Sequence, residues 1–170
     1  MKQKLCFALG LLTLLIMPKL SQAGEPRLIA TSEAWSAYVF IEDGNKVCYM
    51  ASKPENQEGD YSKRGEIFAL ITHRPAEGTK NVFSYITGYT YKAGSDATVD
   101  IDADHFVLFT QDDTAWAPDA ETDEKISQGI RKGSKMTVRG TSSRGTQTED
   151  TFSLKGSSGA YEKISEECGV

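Results

Sequence analysis

Apolar and polar positions alternate along this chain in short runs, and turn-forming residues close a run about every ten residues. Residues 35–41 (WSAYVFI) read as a strand that stops at Glu42-Asp43-Gly44-Asn45, and residues 46–51 (KVCYMA) return across that turn. The Asp-Gly step is a strong hairpin signal. Residues 52–63 are polar, contain Pro54 and Gly59, and are expected as a surface loop. Residues 67–74 (IFALITHR) read as a buried strand ended by Pro75. In residues 81–92 (NVFSYITGYTYK) Phe83, Tyr85, Tyr89 and Tyr91 fall on one face by period two, with Gly88 suggesting a bulge. Residues 98–103 and 105–110 are two more strands, and 135–140 with 147–154 read as a hairpin over Ser143-Arg144-Gly145.

Two segments switch to helical spacing. Residues 119–132 carry acids early, Ile126 and Ile130 four apart, and Arg131-Lys132 before Gly133. That order suits the helix dipole and a glycine stop. In residues 158–168, Ala160, Ile164 and Cys168 line one stripe, with Ser157 or Ser158 expected as the N-cap. The expected fold is mainly β: a β-sandwich or flattened barrel with two short helices at its margin, one at the C-terminus.

The first residues do not belong to this pattern. Lys2 and Lys4 precede an apolar run over 5–17, then Pro18, and small residues at Ser21 and Ala23. This is the layout of a cleavable secretory signal covering residues 1–23, too short to span a bilayer in the mature chain. Cys6 lies inside the apolar run and not at its end, so a lipid anchor is not expected there. Residues 24–170 are then one domain, large enough to bury a real core, and no transmembrane run follows. Removal of Lys2, Lys4 and Lys19 with no acid takes the formal charge from −5 to about −8. An acidic surface argues against nucleic acid and anionic membranes as partners.

The mature chain keeps two cysteines, Cys48 and Cys168. In an oxidising compartment they most simply form one bridge, closing a loop of about 120 residues and stabilising by about 4–5 kcal/mol in the chain-entropy model. The helical stripe turns Cys168 toward the domain, so the bridge would pin the last helix to the strand carrying Cys48.

No catalytic set emerges. Gly156-Ser157-Ser158-Gly159 does not have the spacing of a nucleophile elbow, and bridged cysteines are not thiolates. Asp100, Asp102 and Asp104 match the first three ligand positions of an EF-hand loop. His105 stands where glycine is needed, however, and Gln111 where the bidentate glutamate belongs. A strand with one solvated face explains the same alternation. His73 and His105 lie far apart in strand patterns, so neither metal nor cofactor is expected. The most open candidate is an aromatic binding face for a ligand or partner: Phe83, Tyr85, Tyr89 and Tyr91, with Trp35 and Trp116 as further rings. Lys53, Lys63, Arg64, His73 and Arg74 are scattered basic points that serve one loop edge only if the fold gathers them.

Taken in order, several short pieces resemble the invasion-associated locus B family of bacterial envelope proteins. They are an exported start, Trp35, Lys46-Val47-Cys48-Tyr49 with Pro54, Thr72-His73-Arg74-Pro75, residues 86–91 (ITGYTY), Phe109-Thr110 and Ala115-Trp116-Ala117. Then follow Arg131-Lys132-Gly133, Arg144-Gly145-Thr146, residues 150–156 (DTFSLKG), Ala160 and Cys168. Ser157-Ser158 depart from the pattern, where an aromatic or bulky residue is expected after the glycine. The resemblance implies an exported protein of periplasm or outer membrane, associated in some pathogens with entry into host cells. It brings no catalytic residues. The expected function is therefore a non-enzymatic envelope protein that binds an envelope or host partner, or alternatively a periplasmic small-ligand module using the aromatic strand face.

Overall fold

The structure, a computed structural model, describes residues 24–170; the expected signal at 1–23 lies outside the described residues. The chain runs β1 (Arg27–Ser32), β2 (Trp35–Glu42), β3 (Asn45–Ser52), β4 (Asn56–Gly59), β5 (Phe68–Arg74) and β6 (Thr79–Ile86). It continues with β7 (Ala97–Ile101), β8 (Asp104–Gln111), β9 (Thr114–Trp116), α1 (Ala120–Lys132), β10 (Lys135–Thr141), β11 (Gln147–Ser153) and α2 (Ser157–Cys168). The strands form one antiparallel sheet in the order β1-β2-β3-β5-β6-β9-β8-β7-β10-β11-β4, not closed into a barrel. The sheet bends back on itself. Tyr85 on β6 meets Phe152 on β11 edge to face, ring centroids 6.1 Å apart.

Period two decides what each strand buries. Trp35, Ala37 and Val39 of β2 point inward, as do Ala69, Ile71 and His73 of β5, Val99 and Ile101 of β7, and Met136 and Val138 of β10. The helices close the open flanks: α2 packs on β1, β2 and β3, and α1 on β6 and α2. In α1 the Asp119 carboxylate accepts from the Thr122 N–H at 2.7 Å, and Ile126 and Ile130 are fully buried. The β2–β3 turn takes positive φ at both Asp43 (51°) and Gly44 (81°), as the dipeptide implied.

Three departures have physical reasons. β4 lies inside the expected surface loop; it is exposed throughout and pairs only with β11, so it needs no apolar pattern. The expected long strand 81–92 ends at Ile86. Gly88 there is a close approach and not a bulge: its φ is +74°, Gly65 N–H donates to its carbonyl at 2.9 Å, and an added Cβ would lie 2.6 Å from Gly65 O. Lastly, neither Ser157 nor Ser158 is the N-cap of α2. That place belongs to Gly156 at φ +84°, pressed on Ser32 O where no side chain fits. The two serines instead donate to the free carbonyls at the end of α1, Ser157 to Ile130 O at 2.7 Å and Ser158 to Arg131 O at 2.6 Å.

Candidate ligand cleft

The most buried ion pair among the described residues lies inside the sheet. Asp150 points inward from β11, between Thr148 and Phe152, and its side chain is fully buried. Arg64, on the segment entering β5, reaches it with a side chain only 3% exposed. The fork is bidentate: Nη1 donates to Oδ1 at 2.8 Å and Nη2 to Oδ2 at 2.6 Å. Nε donates to Thr87 O at 2.7 Å, and Nη2 also reaches Thr87 Oγ1 and the Tyr85 hydroxyl. The Tyr85 hydroxyl in turn donates to Asp150 Oδ2. Burial alone would lower the Arg64 pKa, but the hydrogen bond and charge of Asp150 outweigh it and hold the guanidinium charged. Burial, reinforced by Asp150, pushes the Tyr85 hydroxyl well above the usual phenol range. Arg64 is also held between two rings, its Cζ 5.4 Å from the Tyr61 centroid and 4.9 Å from that of Tyr89.

Over this pair opens a cleft of about 650 Å³. Its walls are the segment 60–65, the turn 88–90 and the hairpin tip 142–146 with Thr148. Tyr89, hydrogen-bonded through its hydroxyl to Thr148 Oγ1 at 2.7 Å, forms part of the wall.

The aromatic face is thus divided. Phe83 and Tyr85 are buried in the core, and Tyr91 is buried with its ring against that of Tyr89 at 5.4 Å. Of the four rings, Tyr89 is the one at the cleft. Trp35 is also core, its Nε1 donating to Ser153 O, while Trp116 is half-buried. The basic points do not gather on one edge. Lys63 and Arg64 line the cleft, Lys53 pairs with Glu66, Arg74 pairs with Glu42, and His73 is buried under α2.

The aspartate alternation is split as well. Asp100 is bound to His105 Nδ1 at 2.6 Å and to Arg139, which together lower its pKa. Asp102 sits in the β7–β8 turn at φ +50° and accepts from the Ser134 hydroxyl at 2.8 Å and from the N–H groups of Ser134 and Lys135. Among the described residues, no group of three or more His, Cys, Asp or Glu side chains is placed to hold a metal ion. Cys48 and Cys168 are joined in a disulfide, with Cα atoms 6.0 Å apart.

Arg64 and Asp150 are the pair that sequence reasoning did not join. A signal existed: a charged residue at an inward position of the strand TEDTF demands a buried counter-charge. Nothing in the sequence says which cation supplies it.

A family model described as invasion associated locus B (IalB) protein matches residues 35–165. The chain belongs to this family. No curated protein and no solved structure matches it. The pieces that carried the resemblance now have places in the IalB-family domain. Cys48 of β3 and His73 of β5 stand opposite each other in register. The 150–154 piece supplies both the buried Asp150 and the core residues Phe152 and Leu154. The Ser157-Ser158 departure is what ties α2 to the carbonyls of α1. The match ends at residue 165, before Cys168.

Proposed function

We propose that this chain is an exported envelope protein that works by binding and not by catalysis. Residues 1–23 are a secretory signal removed on passage through the general secretion route, and the single domain 24–170 acts in the periplasm or at the outer membrane. The Cys48–Cys168 bridge is the observation that carries this reading, because disulfides persist in oxidising compartments. Family membership supports it, and the family's description as invasion associated supports a partner on a host cell or in the envelope. Binding is favoured over chemistry because the strongly placed ionisable groups are engaged with one another. Arg64, Asp150 and Tyr85 bond mutually, and His73 accepts the Asn81 N–H on Nδ1 beneath α2. Among the described residues no helix is long and apolar enough to cross a membrane.

The test is fractionation followed by N-terminal sequencing and thiol alkylation. We expect an envelope-fraction protein beginning at Gly24 with both thiols blocked. A cytosolic chain with an intact N-terminus, and with Cys48 and Cys168 both open to alkylation, overturns the proposal. A second reading is a periplasmic small-ligand module, favoured by the cleft that opens beside Tyr89.

A further inference from the structure

We infer that the cleft over Arg64 binds a sugar carrying a carboxylate or phosphate. The inference rests on the small-ligand reading and names its ligand class. Size comes first: about 650 Å³ lies within the range of pockets that enclose small molecules.

Charge comes next. The protein is acidic overall, yet the lips of this cleft are cationic. Lys63 on one side and Arg144 on the other are exposed, and among the described residues neither has an acid within ion-pair distance. Asp60 is the single carboxylate on the cleft wall. Arg64 at the floor is already balanced by Asp150, so Lys63 and Arg144 leave the opening with a net positive charge. A ligand anion placed between them gains attraction from both.

The remaining lining argues for a polyol. Ser62, Thr90 and Ser143 line the cleft, and among the described residues their hydroxyls have no hydrogen-bond partner, which leaves them to donate or accept. Tyr61 and Tyr89 supply the apolar surface, with the Arg64 guanidinium lying over both rings. Such rings suit the C–H face of a pyranose, and the scarcity of other apolar lining disfavours a greasy ligand. A bare anion would use the two cations and leave the hydroxyls and rings idle.

The experiment is an amide NMR titration of the disulfide-intact mature chain at low salt with galacturonate, glucose 6-phosphate, glucose and inorganic phosphate. Both acidic sugars are expected to shift amides of 60–65, 88–90 and 142–146. Glucose and phosphate should each bind about tenfold more weakly. The double variant Lys63→Ala, Arg144→Ala should weaken the acidic sugars by about tenfold or more while leaving the remaining spectrum and the thermal midpoint unchanged. Phosphate binding as tightly as glucose 6-phosphate would mean an adventitious ion only, and overturns the inference. Glucose binding as tightly as the acidic sugars overturns the anionic class and leaves the small-ligand reading standing. A cleft silent to all four probes, and to a mixture of amino acids and nucleosides, overturns both.

Discussion

At the scale of single residues the decisive fact is a charge pair with almost no water. Removing two ions from solvent is expensive, and their attraction offsets that cost only when every donor and lone pair is used. Here Asp150 receives both arms of the Arg64 fork and the Tyr85 hydroxyl, and Arg64 spends further donors on Thr87. Asp150→Asn leaves the guanidinium buried without a counter-charge. The expected loss is about 3–5 kcal/mol, read from the urea midpoint. Tyr85→Phe removes one neutral donor and should cost only about 1–2 kcal/mol, because the fork survives. The double change Arg64→Met, Asp150→Leu should cost much less than Asp150→Asn. That ordering is the measurement that separates a pair required by its own burial from one that drives folding. An Asp150→Asn loss below about 1 kcal/mol would mean that water reaches the pair.

At the scale of elements, the outcome depended on whether a residue's role is local. The β2–β3 hairpin was readable because Asp43-Gly44 carries its own turn geometry. The α1 boundary was readable because Asp119 caps it through a bond three residues long. β4 was not, since its pairing with β11 is supplied from across the molecule and its own residues are all exposed. The aromatic stripe was misjudged in extent because the close approach of Gly65 to Gly88 ends the strand before Tyr89. The same rule places His73, expected only as a strand-face residue: it alternates inward on β5 with Ala69 and Ile71, and its cover is α2. Its Nε2 lies 3.3 Å from Ser165 Oγ, Nδ1 accepts from Asn81 N–H at 3.1 Å, and the Tyr161 ring stands edge-on at 5.5 Å. Burial, with a lesser contribution from Lys80, holds its pKa below the ordinary 6.5.

The sign of the pH effect follows. As pH falls below 6.5 the unfolded chain takes a proton that the folded imidazole refuses, so stability declines until the lower folded pKa is passed. Asp123 opposes this. Desolvation raises it to about 6, so its contribution is largest below its ordinary 3.8 and is lost as pH rises toward 6. In an Asp123→Asn background, urea midpoints should therefore fall on acidification from about pH 6.5. Adding His73→Gln should flatten that slope; an unchanged slope would assign the acid sensitivity elsewhere.

At the scale of the whole molecule, one covalent bond links the third strand to the last helical turn, 120 residues apart. Two accounts of it differ in what reduction would do. If the bond merely clamps α2, its loss should free that helix and leave the sheet untouched. If it acts on the unfolded chain, its loss lowers global stability while α2 stays docked. The packing favours the second account. Ala160 and Ile164 are fully buried, Ser157 and Ser158 hold the start of α2 to α1, and Lys46 Nζ stands 3.0 Å from Glu167 Oε1 near its end. Alanine is the right replacement, because Cys48 is fully buried and serine would bury an unpaired hydroxyl. Cys48→Ala, Cys168→Ala should keep the native NMR spectrum but lose stability, with about 4–5 kcal/mol as the upper bound from loop closure. The denaturant slope should rise, since an uncrosslinked chain exposes more surface on unfolding. Rapid amide exchange confined to α2, with an unchanged global midpoint, would instead show that the bridge is a local clamp.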